Sequence, residues 1–194
     1  MPAIPDNTAL SPEQAVTVLL SEYDSLKAEQ RSRIGFRDNL LYAALTAMAA
    51  IATVTAGAGR LELLLLLPLV TTVLGWTHLT NDHLITEIGR YVREGLGPRL
   101  AGLVDDGSSD IPMFEWETEH SGDRRRTSRK RLQLAVNLLT FCLPPLAALG
   151  VLAAAGPHTP AVLAGAFVEL AAVATLAVQI GRYANLASHG RVTA

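Results

Sequence analysis

A single cysteine, Cys142, rules out a disulfide framework within one chain and argues against a Cys/His zinc site. It lies inside an apolar segment and reads as a small buried apolar residue. Charge is scarce as well. Asp, Glu, Lys and Arg make up 18% of the chain, against about a quarter in an ordinary soluble domain. The shortfall falls in four long segments that are nearly free of charge. A net charge of −2 and a pI near 6.2 argue against a protein that binds nucleic acid with its whole surface. Residues 1–38 contain no apolar run of the kind a cleavable signal peptide requires, so the first apolar span is expected to direct insertion itself. There is no HExxH, no glycine loop that would cradle a phosphate and no nucleophile-base arrangement, and His120, His158 and His189 stand isolated. The sequence therefore predicts no enzyme, no cofactor and no bound metal.

Long apolar runs are abundant. The stretch Leu63 to Tyr91 opens with five leucines and Pro68 and stays apolar to Leu74. It turns amphipathic around Trp76. From Leu61 to Thr80 only Glu62 is clearly charged at neutral pH. Twenty helical residues span about 30 Å, the thickness of a bilayer's hydrocarbon core. Beyond Thr80 the chain remains helix-compatible but polar, which predicts one helix that leaves the membrane and continues into water.

The rest of the chain supplies partners for this element. Residues 1–10 read as a loose arm. Ser11, Pro12 and Gln14 form a helix start with a capping box. Val16, Leu19, Tyr23 and Leu26 then recur at helical spacing, as a stripe packed on the protein's own cytoplasmic parts or as a seam between subunits. Residues 40–59 are free of charge and make the first span, where Ala43, Ala47 and Ala50 offer a small-residue face for close packing. Gly57, Gly59 and Arg60 turn the chain into the second span, and Gly95, Gly97 and Pro98 are expected to end the long second helix. Phe114 and Trp116, beside carboxylates, suit either the headgroup level or packing on cytoplasmic helices. Arg124, Arg125, Arg126, Arg129, Lys130 and Arg131 directly abut an apolar span. They read as a topology determinant in contact with anionic headgroups rather than as a nucleic-acid patch. Residues 132–156 form the third span, interrupted by Pro144 and Pro145. Residues 161–180 form the fourth, with Glu169 near its centre.

Fifteen of the sixteen basic residues lie in the N-terminal region, the central loop and the tail, while the two short turns hold only Arg60. Both termini and the central loop are thus expected in the cytoplasm. The two halves also echo each other. Asn39-Leu40-Leu41 matches Asn137-Leu138-Leu139, and Ile88-Gly89-Arg90-Tyr91 matches Ile180-Gly181-Arg182-Tyr183. A parallel duplication and coincidence both fit this pattern.

Glu169 is the leading candidate for chemistry. A carboxylate at mid-bilayer costs about 3 kcal/mol or more, so it is paired, protonated or beside water. Counted from Ala161 it lies ~12 Å deep, level with Pro144 and Pro145 on the neighbouring span, one turn from Thr140. Two readings stand open: a hydrogen-bonded clamp between the third and fourth spans, and a pore-lining or ion-responsive carboxylate. With no second mid-membrane charge to complete a relay, a transporter is disfavoured. His78 with Asp82, and His83 with Glu87, each share a helix face and read as solvated pairs rather than metal ligands.

The runs LKAEQRSRIGFRDNLLYAALTAMAA, LLPLVTTVLGWTHLTNDHLITEIGRYV, FEWE and RKRLQLAVNLLTF resemble a group of small actinobacterial integral membrane proteins. The layout, a cytoplasmic helix running into a tight membrane hairpin whose second helix runs back out, is similar to SLATT-type effectors. It is also similar to the four-helix membrane effectors that accompany nucleotide second-messenger synthetases in bacterial conflict systems. That resemblance implies a self-assembling, membrane-perturbing protein restrained until a sensor signals, although no fused sensor domain is recognisable. The expected protein is thus an all-α membrane protein with four transmembrane helices in two hairpins, a cytoplasmic N-terminal amphipathic helix and a helical central loop. Its segments are expected at 1–38, 39–94, 95–131, 132–183 and 184–194. The expected partners are membrane lipids, further copies of the chain and a cytoplasmic protein, in a plasma-membrane effector or a non-conducting scaffold.

Overall fold

A computed structural model of the chain describes residues 11–104 and 126–186. The arm 1–10, Phe114, Trp116, His120, Arg124, Arg125 and His189 lie outside the described residues. The same holds for the side chains of Arg126, Arg129 and Lys130, although these three residues are on a helix. In chain order the elements are α1 (Pro12–Ala58), a 3₁₀ turn (Leu61–Leu65), α2 (Leu66–Tyr91), a π turn (Val92–Leu96), α3 (Gly97–Val104), α4 (Arg126–Phe141), α5 (Leu143–Ala154) and α6 (Pro160–Leu186). No strand occurs among the described residues. Four helical stretches are long and apolar enough to cross a membrane: Pro12–Ala58, Leu61–Leu103, Arg131–Ala154 and Pro160–Tyr183. The chain is an all-helical protein with the layout of a multi-pass membrane protein.

Two compact units emerge, Met1–Ser32 with Ile85–Asp123, and Arg33–Leu84 with Arg124–Ala194. In the first, the capping box forms as the sequence requires. The backbone N–H of Gln14 donates to Ser11 Oγ at 3.2 Å, and that of Ser11 to Gln14 Oε1 at 3.0 Å. Val16, Leu19, Tyr23 and Leu26 are all half-buried, whereas Val18 and Leu20, off that stripe, are exposed. Tyr91 Oη donates to Glu22 Oε1 at 2.8 Å, and Gln30 Nε2 to the carbonyl of Ile85 at 3.3 Å.

Gly95, Gly97 and Pro98 do not end the second helix. Helical structure continues through the π turn into α3, burying Val92, Leu96 and Leu100. The reason is local. A proline in a continuing helix lacks the N–H for residue i−4 and crowds that carbonyl. The wider π turn just before Pro98 absorbs the conflict without stopping the chain.

In the second unit, Ala44 of α1, Leu79 of α2, Phe141 at the end of α4, Cys142, and Val173, Leu176 and Ile180 of α6 form one buried cluster. Close approach depends on Gly75. A Cβ there would lie 2.7 Å from Leu176 Cδ2 and 3.0 Å from the Phe141 ring. In lipid such packing, rather than escape from water, holds helices together. The small-residue face expected at Ala43, Ala47 and Ala50 is not the packed one. Ala43 and Ala50 are exposed and Ala47 is half-buried, while Leu40, Ala44 and Thr55 are buried. The packed surface of α1 follows a register that begins at Arg33 and Arg37 and takes in Ala47 but leaves Ala43 and Ala50 beside it.

Pro144 and Pro145 divide the third span into α4 and α5. Cys142 leaves the helix at φ −112°, and the prolines occupy the first positions of α5, where a missing N–H is no loss. In the turns that follow α1 and α5, two glycines take left-handed backbone, Gly59 at φ 63° and Gly156 at φ 115°. Thr53, Thr71, Thr77, Thr80 and Thr175 each donate their hydroxyl to the carbonyl four residues back, at 2.8 to 3.0 Å. Those hydroxyls are thereby satisfied inside their own helices, as an apolar solvent demands.

Candidate functional site

Three helices of the second unit each carry polar residues four apart at one end of their apolar stretch: Arg33 and Arg37 before it on α1, His78 and Asp82 after it on α2, Gln133 and Asn137 before it on α4. One helical turn puts each pair on one face. The folded chain brings the three faces together. Arg37 Nη1 donates to Asp82 Oδ1 at 3.0 Å, and Gln133 Nε2 reaches both Asp82 oxygens at 3.1 Å. Asn81, 5% exposed, donates to the carbonyl of Arg33 at 2.6 Å and accepts from Arg33 Nη1 at 3.4 Å. His83 packs tilted against Tyr183 of α6 with ring centroids 4.9 Å apart.

His78 is not the solvated partner of Asp82 that its spacing suggests. It is 3% exposed, packs on Phe141 at 5.1 Å between centroids, and neighbours Asn137. Its Nδ1 is buried with no hydrogen-bond partner among the described residues. The cause is the register of α2: His78 shares its face with Thr71 and Gly75, which turn inward, while Asp82, one turn on, reaches Arg37 and Gln133. The result is a lock of charge-assisted hydrogen bonds across α1, α2 and α4. Since Gln133 is exposed and Arg37 and Asp82 are partly open to solvent, such bonds contribute about 1 kcal/mol each. Of the three pairs, spacing singled out only His78 with Asp82; Arg33 with Arg37 and Gln133 with Asn137 share the same four-residue spacing, the signal by which they could have been found. Cross-helix pairing did not show, because it depends on which faces meet.

Glu169 lies on the face of α6 that carries Val173, Leu176 and Ile180, at i, i+4, i+7 and i+11. It is half-buried, and its Oε2 is enclosed without a hydrogen-bond partner among the described residues. No hydrogen bond joins it to Thr140 or to the backbone around Pro144 and Pro145, so the expected clamp is not formed. Thr140 and Pro144 are half-buried and Pro145 is fully buried. The α6 register has other neighbours. A Cβ on Gly165 would lie 3.9 Å from Leu65, and one on Gly75 would meet Leu176. These two anchors make α2 and α6 run parallel and put Glu169 level with the 68–72 stretch of α2. Thr72 Oγ1, in that stretch, is likewise enclosed and unpartnered. Among the described residues no three His, Cys, Asp or Glu side chains converge to hold a metal ion. The Asn pair of the internal echo is not equivalent either, for Asn39 is exposed and Asn137 buried.

No family model, no curated protein and no solved structure matches the chain.

Proposed function

We propose that the protein is an oligomeric integral membrane protein of the plasma membrane, an effector or channel-like component that alters permeability, of the kind bacterial conflict systems deploy. In this reading the four spans form two hairpins, both termini and the central loop lie in the cytoplasm, and the stripe at Val16, Leu19, Tyr23 and Leu26 belongs to a cytoplasmic amphipathic helix. Arg124, Arg125, Arg126, Arg129, Lys130 and Arg131 meet anionic headgroups there. The protein is not an enzyme and binds no nucleic acid. The observation that carries the reading concerns α6. Among the described residues it has the least covered span, with 11% of its most apolar window buried within the chain, and its mid-membrane carboxyl has an Oε2 with no partner there. In this reading copies assemble through the uncovered face of α6, and a shift of the packed face on assembly opens Glu169 to water, which could solvate it.

Inducible expression with a potential-sensitive dye tests this. Depolarisation on induction is expected, and Glu169→Gln should change the ion flux through reconstituted liposomes at least severalfold while leaving assembly intact. Unchanged potential and growth at high expression would contradict it. The second reading, a non-conducting scaffold that recruits a cytoplasmic partner, is favoured by exposed Val18 and Leu20 at 54% and 45%. It expects a soluble protein that co-purifies with the full chain and is lost on deleting residues 1–30, with no flux in liposomes.

A further inference from the structure

At the level where α2 passes from apolar to polar, a groove of about 380 Å³ opens on the second unit, lined chiefly by Arg33, Phe36, Trp76, Thr77, Thr80 and Asn81. Its two ends differ in chemistry. On the apolar side, Phe36 and Trp76 are 52% and 47% exposed. Two large rings left open at this level suit the zone between headgroup and acyl chain, where an apolar body and a polar edge are both satisfied. On the polar side, Arg33 carries the sole formal charge among the described lining residues. Asn81 holds it from both directions, through its side chain and its own backbone carbonyl. A guanidinium presents its N–H groups as a planar fork that matches two oxygens of a phosphodiester.

The threonines add a further constraint. Thr77 and Thr80 spend their hydroxyl hydrogens on the carbonyls of Val73 and Trp76, at 2.9 and 3.0 Å. What they offer the groove is lone pairs, so they suit a ligand that donates. An anion that also carries hydroxyl donors and an acyl chain meets all three demands. An ammonium headgroup would donate to the threonines but set its charge beside Arg33. A choline headgroup has no N–H or O–H to donate.

We propose that this groove binds one anionic glycerophospholipid of the phosphatidylglycerol type. Its phosphodiester pairs with Arg33, its glycerol hydroxyls donate to Thr77 and Thr80, and the first methylenes of one acyl chain lie against Trp76 and Phe36. The site stands whether or not the protein conducts.

Trp76 is one of two tryptophans, so Trp116→Phe in the full chain leaves a single reporter in the groove. The protein is reconstituted in vesicles in which either phosphatidylglycerol or phosphatidylcholine carries bromines near the glycerol end of one acyl chain, and quenching of Trp76 is read. One cation near the surface supports a preference of about fivefold. The expected result is a preference of that order for brominated phosphatidylglycerol, lost with Arg33→Gln and kept with Arg182→Gln on α6. Equal quenching by the two lipids, or a preference that survives Arg33→Gln, would overturn the proposal. If Arg33→Gln does not fold, the two-lipid comparison with the lining unchanged decides by itself.

Discussion

Asp82 shows how a single position can carry more than its own helix. Its carboxylate accepts from Arg37 of α1 and from Gln133 of α4, and its side chain is 26% exposed, with Arg37 at 27%. Replacing it by asparagine keeps the shape but removes the charge that both donors address. Asp82→Asn should therefore lower stability by about 1–3 kcal/mol. It would be read as an earlier loss of monodisperse protein on heating in detergent. In a double-mutant cycle, Arg37→Gln together with Asp82→Asn should cost less than the sum of the two singly. Strict additivity would show that the pair contributes nothing beyond two independent side chains. The same scale shows where reading from sequence stops. His78 and Asp82 are four apart and look like a matched pair, yet the helix turns one inward to Phe141 and the other toward Arg37 and Gln133. Spacing says which residues share a face, and only the neighbouring helices say what that face meets.

Among the elements, the apolar spans, the capping box at Ser11 and the turn at Gly59 were legible because local physics decides each of them. Hydropathy over twenty residues, a reciprocal side chain to backbone bond and a left-handed backbone need no knowledge of the rest of the chain. Two features escaped. The alanines of α1 promised a packing face, but the register through Arg33, Arg37, Leu40 and Ala44 won, since the polar residues at one end fix the rotation of the helix. Pro98 promised a stop, but a single π turn let helical structure run on to Val104. Helix packing itself can be tested at Gly75, which sits against Leu176 and Phe141. Gly75→Leu should separate α2 from α6, reducing folded yield severalfold. Leu176→Ala should recover part of it by vacating the space that the new side chain needs. A Gly75→Leu protein as stable as the parent would mean that the two helices do not approach as closely as 2.7 Å implies.

For the whole molecule the decisive matter is which solvent surrounds the apolar helices and on which side each end lies. Most of the surface of α6 is uncovered within one chain, with Phe167 and Val168 at 72% and 70% exposed. In water such a surface would drive aggregation, whereas in a bilayer lipid covers it at no cost. Topology can be read directly because the chain has one cysteine, buried at Cys142. In a Cys142→Ala background, single cysteines are placed at Gly59, Gly107, His158 and His189, and intact cells are treated with a membrane-impermeant maleimide. The account expects labelling at 59 and 158 without permeabilisation, and at 107 and 189 only after it. Labelling of 107 or 189 from outside intact cells, or full recovery of the protein in the soluble fraction without detergent, would contradict it.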